Sequence, residues 1–455
     1  ISSAASDVYK RQIDNSHKNE HFMYRQYFRQ ALQMLKESPF FSVITILGTA
    51  LAICMIMVMV IVFEIQNKGF KPELNRDRTL YVKDVAITHK NEEDGGMNYS
   101  LVGGRVAKEC FFTLKTPEAV SMQLMRMQTL VTSTDQTRRM KCDQIRTDEG
   151  FWKIFDFEFL AGKPFLRSDV ESNIKKAVIS RGLSFRMFGL ADESVIGQTI
   201  LVARRPYVVG GIVEDVSPLA NHAYAQIWIP YAQSDVDRLI NEETLEGLIG
   251  SYRVLILARS SGDFDKIKTE VEQNVARFNN SLQELKIDLM KQPDTQMESR
   301  LRLWSNVVPD VPRMLGQYAL VLIVLLLVPA MNLSGLTASR MQKRMGELGV
   351  RKAFGANRGT LIRQVLAENL AVTLLGGVLG LLFSYVAVFL LKDWLLGSFE
   401  LASLNSGLTL SAGMLIRPAI FFFAFLFCLL LNLLSAAIPA WNASSGNIVD
   451  SLNDK

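Results

Sequence analysis

Four apolar stretches constrain the fold of this chain most, because each is long enough to cross the hydrocarbon of a bilayer as a helix of roughly 20 residues. They occupy residues 40–63, 314–336, 370–391 and 419–441, and none of them contains a charged residue. Helices in the core of a soluble protein are seldom apolar on every side over such a length. The sequence therefore predicts an α-helical membrane protein with four transmembrane helices.

The predicted helices divide the chain unevenly. About 250 residues of ordinary globular composition separate the first apolar stretch from the second, which is enough for one or two domains with their own core. Strand-like and helix-like segments alternate near both ends of this region. We therefore expect a large α/β extracytoplasmic domain inserted between helices 1 and 2. Inside it, alternating aromatic and polar residues with glycines at the turns predict a β-rich insert at 151–228.

Four segments follow from this division. Residues 1–22 lack an initiating methionine and an apolar signal core, and are interpreted as a non-native or disordered leader. Residues 23–66 combine an amphipathic helix at the membrane interface with transmembrane helix 1. Residues 67–310 form the extracytoplasmic domain. Residues 311–455 hold transmembrane helices 2–4 and a cytoplasmic loop at 339–361.

The distribution of basic residues predicts the orientation, because cytoplasmic loops retain lysines and arginines during insertion. The loop between the second and third stretches is rich in them, whereas the loop between the third and fourth has only Lys392 and Arg417. Both termini and the arginine-rich loop should therefore face the cytoplasm, with the large domain outside. The net charge of +5 is small and is explained by these loops, so no nucleic-acid partner is expected.

Motifs for enzymatic chemistry are missing from the 455 residues. There is no GxxxxGK[ST] phosphate loop, no HExxH, no GxSxG and no CxxC pair. We predict that the chain is not an enzyme, holds no cofactor and has no metal site. Cys110 and Cys142 both fall in the outward domain, where an oxidising environment could join them. The residues leave that disulfide open.

A charged, glycine-punctuated segment, MGELGVRKAFGANRGTL at 345–361, stands between two apolar stretches. It is typical of an amphipathic helix closed by Gly355, because glycine suits a left-handed C-terminal cap. Such a helix could be a handle for a cytoplasmic partner, with apolar residues in a groove and charges fixing the register. Its basic residues could equally serve only topology and contact with anionic lipid. The residues alone favour neither interpretation.

The same segment resembles the signature loop of the FtsX-like permease family. That resemblance rests on the run Glu347, Leu348, Gly349, Val350, Arg351, Lys352, Ala353, Phe354, Gly355 and Ala356, followed by Glu368. The outward domain resembles the MacB-type periplasmic core domain through Phe151, Phe155, Phe157, Gly162 and the sequence YVVGGIVEDV at 207–216. The closing segment SAAIPAWNASSGNIVDSL is also similar to the end of the family.

The resemblance implies an ABC transporter permease that transmits mechanical force and lies in the bacterial inner membrane, with its large domain in the periplasm. A separate ATPase subunit would bind ATP and Mg²⁺. The residues implied to contact that ATPase are Glu347, Gly349, Arg351, Lys352, Phe354, Gly355 and Ala356. The family also implies a homodimer, or a heterodimer with a sister permease, and allows a periplasmic adaptor and an outer-membrane protein as further partners. MacB carries a fused N-terminal ATPase domain, which is not expected before Met23 here, and lipoprotein-releasing permeases share the predicted size and span order.

Small residues predict where the helices pack. Gly376 and Gly380 form a small-xxx-small pair that allows close helix approach, and Pro329 offers a site for a bend. Because no ionisable residue lies in the middle of a predicted span, the helices are interpreted as a lever and not as a pore. An ATP-independent membrane sensor that signals through the cytoplasmic loop is the alternative. A membrane-anchored enzyme is disfavoured by the missing catalytic motifs.

Overall fold

The computed structural model describes residues 39–90, 96–231, 245–302, 307–343 and 358–395, together with single positions between 422 and 441. The predicted leader, the interfacial helix, the centre of the cytoplasmic loop and most of the fourth apolar stretch lie outside these residues. The helices described are α1 (Pro39–Asn67), α2 (Gly104–Cys110), α3 (Phe151–Ile154), α4 (Arg167–Glu171), α5 (Arg181–Phe188), α6 (Leu245–Leu248), α7 (Phe264–Ser281), α8 (Gln296–Leu301), α9 (Val311–Lys343) and α10 (Arg358–Leu395).

The strands all lie between α1 and α9. They are β1 (Thr79–Val82), β2 (Asp84–His89), β3 (Asn98–Val102), β4 (Ala119–Leu124), β5 (Met127–Ser133), β6 (Arg139–Thr147), β7 (Phe159–Gly162), β8 (Lys176–Ser180), β9 (Thr199–Val202), β10 (Arg205–Val213), β11 (Ile227–Pro230), β12 (Ile249–Gly250), β13 (Tyr252–Leu257) and β14 (Leu285–Asp288). The chain forms two compact units. The sheet unit runs from Glu64 to Met314, and the helical unit holds the described residues on either side of it.

The helical unit contains most of the described residues of the predicted membrane helices. Within the described residues, two segments are long and apolar enough to cross a membrane, Ser42–Asn67 and Asn369–Lys392. They correspond to the first and third apolar stretches of the sequence. The second stretch lies within α9, and single residues of the fourth are helical. The structure therefore provides two candidate spans, and the four-span topology stays a prediction.

The first sheet of the sheet unit is antiparallel, with strand order β1-β13-β3-β2-β14; β4 adds to β13, and the short β12 pairs with β3. Strands from both ends of the domain form it, since β13 lies between β1 and β4. Helix α7 packs beside α2 and β14. It buries Ile267, Val271, Asn274 and Phe278, which recur every three to four residues and so share one helical face. The α/β fold predicted for the domain is confirmed.

The second sheet closes on itself. Its strands follow the order β7-β10-β8-β11-β6-β5-β9. The last strand, β9, also pairs with β10, so the strands from β10 to β9 form a closed ring. The enclosed core is aliphatic and includes Val131, Ile179, Val209 and Ile227. The sheet begins at Met127, before the predicted start of the β-rich insert at residue 151. The chain leaves the first sheet after β4 and enters the second at β5.

Asp148 joins the two sheets. Its side chain lies between β6 and α3 and accepts hydrogen bonds from Ser121 Oγ at 2.7 Å and from Met122 N at 2.8 Å, both on β4. The backbones also approach closely there, because a Cβ on Gly150 would lie 2.3 Å from the carbonyl oxygen of Val120. No side chain fits in that space, so glycine at position 150 permits the contact.

Candidate functional site

The residues implied to contact an ATPase lie outside the described part of the chain. Glu347, Gly349, Arg351, Lys352, Phe354, Gly355 and Ala356 all belong to the segment between the end of α9 at Lys343 and the start of α10 at Arg358. Their role stays a prediction. The structure does describe the helix that follows them and the contacts that this helix makes.

Helix α10 packs against α1 within the helical unit. A Cβ added at Gly380 would lie 2.6 Å from the Ala50 carbonyl oxygen and 2.9 Å from Ile53 Cβ. At Gly376 it would lie 2.9 Å from Thr49 Cβ. Both glycines therefore allow a close backbone approach that any side chain would prevent. Pro329 lies inside α9, whose helical backbone runs without a break from Val311 to Lys343.

The C-terminal end of α1 is held by the buried guanidinium of Arg76. One of its terminal nitrogens, Nη1, donates to the carbonyl oxygens of Ile65 at 3.2 Å and Lys68 at 3.1 Å. The other, Nη2, donates to Leu219 O at 2.9 Å, and the group also lies 4.3 Å from the ring centroid of Phe70. Carbonyls at a helix C-terminus have no partner within the helix and carry a partial negative charge. Arg76 therefore satisfies the end of α1 and fixes the chain that follows.

Glu73 completes this arrangement. Its Oε2 atom accepts a hydrogen bond from Arg76 Nε at 2.7 Å, and its Oε1 atom accepts from the backbone N–H groups of His222 at 2.8 Å and Ala223 at 2.9 Å. Both partners of the ion pair are buried, with side-chain exposures of 2% and 0%. The pair thus connects the chain after α1 to the loop before β11.

A second buried arginine lies where the chain approaches α9. Arg302 donates two hydrogen bonds to Asp294, from Nε to Oδ2 at 2.6 Å and from Nη2 to Oδ1 at 2.8 Å. Its remaining donors reach the carbonyl oxygens of Val307 at 3.1 Å and Met290 at 3.2 Å. Because a guanidinium presents its donors in a rigid fork, this set of acceptors fixes the position of the segment just before α9.

Direct contacts connect the two arginine sites. Tyr81 and Asp294 exchange two backbone hydrogen bonds of 2.8 Å. The ring of Tyr81 stacks on that of His222 with a centroid distance of 4.4 Å. Gln296, on α8, donates to the carbonyl oxygen of Gln66 near the end of α1 at 3.4 Å. We call the residues Glu73, Arg76, Tyr81, His222, Asp294, Gln296 and Arg302 the junction cluster. No local pattern in the sequence predicts this cluster, since a charged residue near a membrane span usually indicates only topology.

The Asp148 carboxyl, which connects the two sheets, has a raised pKa. Burial raises the pKa of this carboxyl to about 7, against the opposing effect of the hydrogen bonds from Met122 and Ser121.

The structure forms no disulfide between Cys110 and Cys142, and both are free, buried thiols. Cys142 lies in the core of the second sheet, whereas Cys110 ends α2 beside the first sheet. Among the described residues, no group of three or more His, Cys, Asp or Glu could hold a metal ion.

Two family models match this chain. The family model of the MacB-like periplasmic core domain matches residues 42–274, and that of the FtsX-like permease C-terminal matches residues 319–448. Macrolide export ATP-binding/permease protein MacB 1 of Yersinia pestis is 26% identical over 303 residues, which cover 66% of this chain and 42% of that protein. MacB of Hahella chejuensis is 22% identical over 59% of this chain and 37% of its own length. The chain thus spans less than half the length of these relatives.

Solved structures of a permease domain and of a MacB periplasmic region also match part of the chain. A domain of a putative permease protein from Porphyromonas gingivalis has a TM-score of 0.33 with 17% identity, covering 48% of this chain and 91% of that one. The periplasmic region of MacB from Actinobacillus actinomycetemcomitans has a TM-score of 0.30 with 14% identity, covering 45% of this chain and 88% of that one. On the two family models, which together match most of its length, the chain belongs to the FtsX-like ABC transporter permeases with a MacB-like periplasmic core domain.

Proposed function

We propose that this chain is the membrane subunit of an ABC transporter, in which ATP hydrolysis by a separate ATPase subunit drives conformational work in the outward domain. It would lie in the bacterial inner membrane with both termini in the cytoplasm and the sheet unit in the periplasm. Membership of the permease family supports this proposal, as does the clustering of basic residues between the second and third apolar stretches.

The contact of α10 with α1 carries the proposal. Helix α10 begins at Arg358, directly after the residues implied to bind the ATPase, and it meets α1 through Gly376 and Gly380. A displacement of the loop would therefore press on α1 through a contact that has no room to yield. Helix α1 is in turn a single helix as far as Asn67. In this proposal, α10 and α1 together form the mechanical path out of the ATPase contact.

The composition of these helices favours a lever over a pore. Neither 40–63 in α1 nor 370–391 in α10 contains an acidic or basic residue. A path for a polar substrate or a proton relay through a bilayer is normally lined by ionisable or strongly polar groups. We therefore propose that cargo is handled outside the bilayer, by movement of the sheet unit.

Further partners follow from the same family. We propose that two permease subunits, identical or sister chains, assemble with the ATPase subunits, and that a periplasmic adaptor and an outer-membrane protein can join them. ATP and Mg²⁺ would be bound by the ATPase and not by this chain. Because the relatives above are named for macrolide export, a macrolide is the first cargo that we would test.

Co-purification with the ABC ATPase encoded beside the gene tests the proposal. The chain should retain this ATPase in mild detergent and stimulate its ATP hydrolysis, whereas Glu347→Ala and Arg351→Ala should weaken both. Arg340→Ala is a matched control, since it removes a charge at the start of the same loop, outside the residues that carry the resemblance. If no ATPase is retained by the unaltered chain, the proposal fails and an ATP-independent sensor becomes the better account. Equal retention by Glu347→Ala, Arg351→Ala and the control would refute the role of the loop.

A further inference from the structure

We propose that Arg76 and Arg302 are positioning residues that hold the end of α1 and the approach to α9 together as one rigid body. In this proposal the junction cluster does more than stabilise the fold. It ensures that the two points at which the chain enters and leaves the sheet unit keep a fixed separation while the unit moves. The proposal rests on the mechanical function proposed above and assigns a part of that function to named residues.

Both arginines are buried as charged groups, which is costly. Arg302 and Asp294 have side-chain exposures of only 1% and 5%. Removing both ions from water is expensive, and a well-packed apolar pair of similar volume is often as stable or more stable. Stability alone therefore does not explain why the sequence places an ion pair at this point. Directional hydrogen bonding supplies what an apolar pair lacks, because it fixes distances and angles.

Both arginines also donate hydrogen bonds to backbone carbonyl oxygens. Arg302 binds the backbone carbonyl of Val307, beyond the end of α8, and that of Met290, after β14. Arg76 binds two carbonyls at the end of α1 and the carbonyl of Leu219, which is 143 positions away in sequence. Each guanidinium thus fixes main chain and not only a neighbouring side chain. Both are placed where the chain passes between a long helix and the sheet unit.

The two arginine sites are directly connected. Gln296 follows Asp294 closely and binds the carbonyl of Gln66, so the second site contacts the end of α1. The backbone exchange between Tyr81 and Asp294 leads back to the first site through the stack of Tyr81 on His222. Since His222 N donates to Glu73, a continuous series of short contacts runs from Arg76 to Arg302. The two sites should therefore shift together or not at all.

Two spin labels, one beside each arginine site, test whether the two sites keep a fixed separation. The experiment uses the whole chain in detergent. Leu74 and Val308 are suitable positions because they are 44% and 42% exposed and lie next to the two arginine sites. With the junction cluster intact, the distance between the two labels should have one narrow distribution. Burial raises the pKa of Cys110 and Cys142 to about 12, so these thiols should label slowly at neutral pH. The parent chain without introduced cysteines measures the remaining background.

Arg302→Lys is the informative variant, because it keeps the charge but loses the fork that reaches Asp294, Val307 and Met290 together. It should broaden the distribution or add a second distance, and Arg76→Lys should do the same. Arg167→Lys is the matched control, since its ion pair with Glu171 is exposed on both sides and should leave the distances unchanged. A broad distribution in the unaltered chain, or an unchanged one in both lysine variants, would overturn the proposal.

Should the single variants fail to fold, Asp294→Leu combined with Arg302→Met replaces the ion pair by apolar side chains. This chain should fold and still show the broadened distances. If it folds with a narrow distribution, the ion pair does not position the junction and the proposal is wrong. The distances are measured without the ATPase, so failure to bind an ATPase would refute the proposed function and leave this result standing. In the assembled transporter, the lysine variants should hydrolyse ATP but lose cargo transport.

Discussion

Gly380→Ala should destabilise the contact between α10 and α1. The added Cβ would lie 2.6 Å from a backbone carbonyl oxygen, that of Ala50, and 2.9 Å from Ile53 Cβ. A backbone oxygen inside a helix cannot move aside as the end of a flexible side chain can. Inserting a group into such a contact costs about 1–3 kcal/mol. The opposing gain in helix propensity is about 1 kcal/mol, so the net effect should be destabilisation by up to about 2 kcal/mol.

Gly48→Ala in α1 provides the matched control, because nothing lies within 4 Å of a Cβ at that position. There only the propensity gain remains, and the variant should be as stable as the unaltered chain or slightly more so. Thermal unfolding in mild detergent, followed by the loss of monodisperse protein, would compare the two. A stability difference of this size corresponds to a few degrees, at about 2–4 °C per kcal/mol. If Gly380→Ala unfolds at the same temperature as Gly48→Ala, the proposed close contact is wrong.

Three further predictions concern the sheet unit. Because burial raises the pKa of Asp148 from 3.8 to about 7, the folded chain binds this proton more tightly than the unfolded chain. The free energy of unfolding should then fall as the pH rises from about 4 to about 7, by up to roughly 4 kcal/mol. Urea unfolding followed by tryptophan fluorescence measures this pH dependence, and Asp148→Asn should remove it. With Cys110 and Cys142 as free thiols, dithiothreitol should leave the thermal stability unchanged, and a shift of several degrees would indicate a disulfide. Trp228→Phe should lower the free energy of unfolding by about 1–3 kcal/mol, because the buried indole N–H donates to Ala223 O at 3.1 Å and the carbonyl would lose this donor. An unfolding midpoint equal to that of the unaltered chain would contradict this prediction.

Long apolar stretches and regular spacing made part of the fold predictable. Helices α1 and α10 follow from uninterrupted apolarity, and α7 follows from apolar residues recurring at helical intervals. These signals are local, so a single sequence carries them in full. The signature loop was recognisable for the same reason, because its residues are contiguous.

Features that depend on distant pairing were not predictable. Residues 122–133 have the composition of one strand, and nothing in that composition shows that the chain changes sheets near Met125. The composition predicts a β-rich insert at 151–228, whereas the second sheet also includes the strand Met127–Ser133. Arg76 finds partners at both Ile65 and Leu219, and Arg302 at Asp294 and Val307, through the folding of the whole domain. A lone arginine outside a membrane span gives no local sign that it will be buried.

Hydrogen exchange of the sheet unit, measured in the complex with its ATPase, tests the central claim most directly. The account predicts that ATP changes the protection of backbone amides in the sheet unit, and that Glu347→Ala abolishes this change while the ATPase itself remains active. Identical protection with and without ATP, in a complex that hydrolyses ATP, would contradict it. In that case the energy of hydrolysis does not reach the outward domain through this chain.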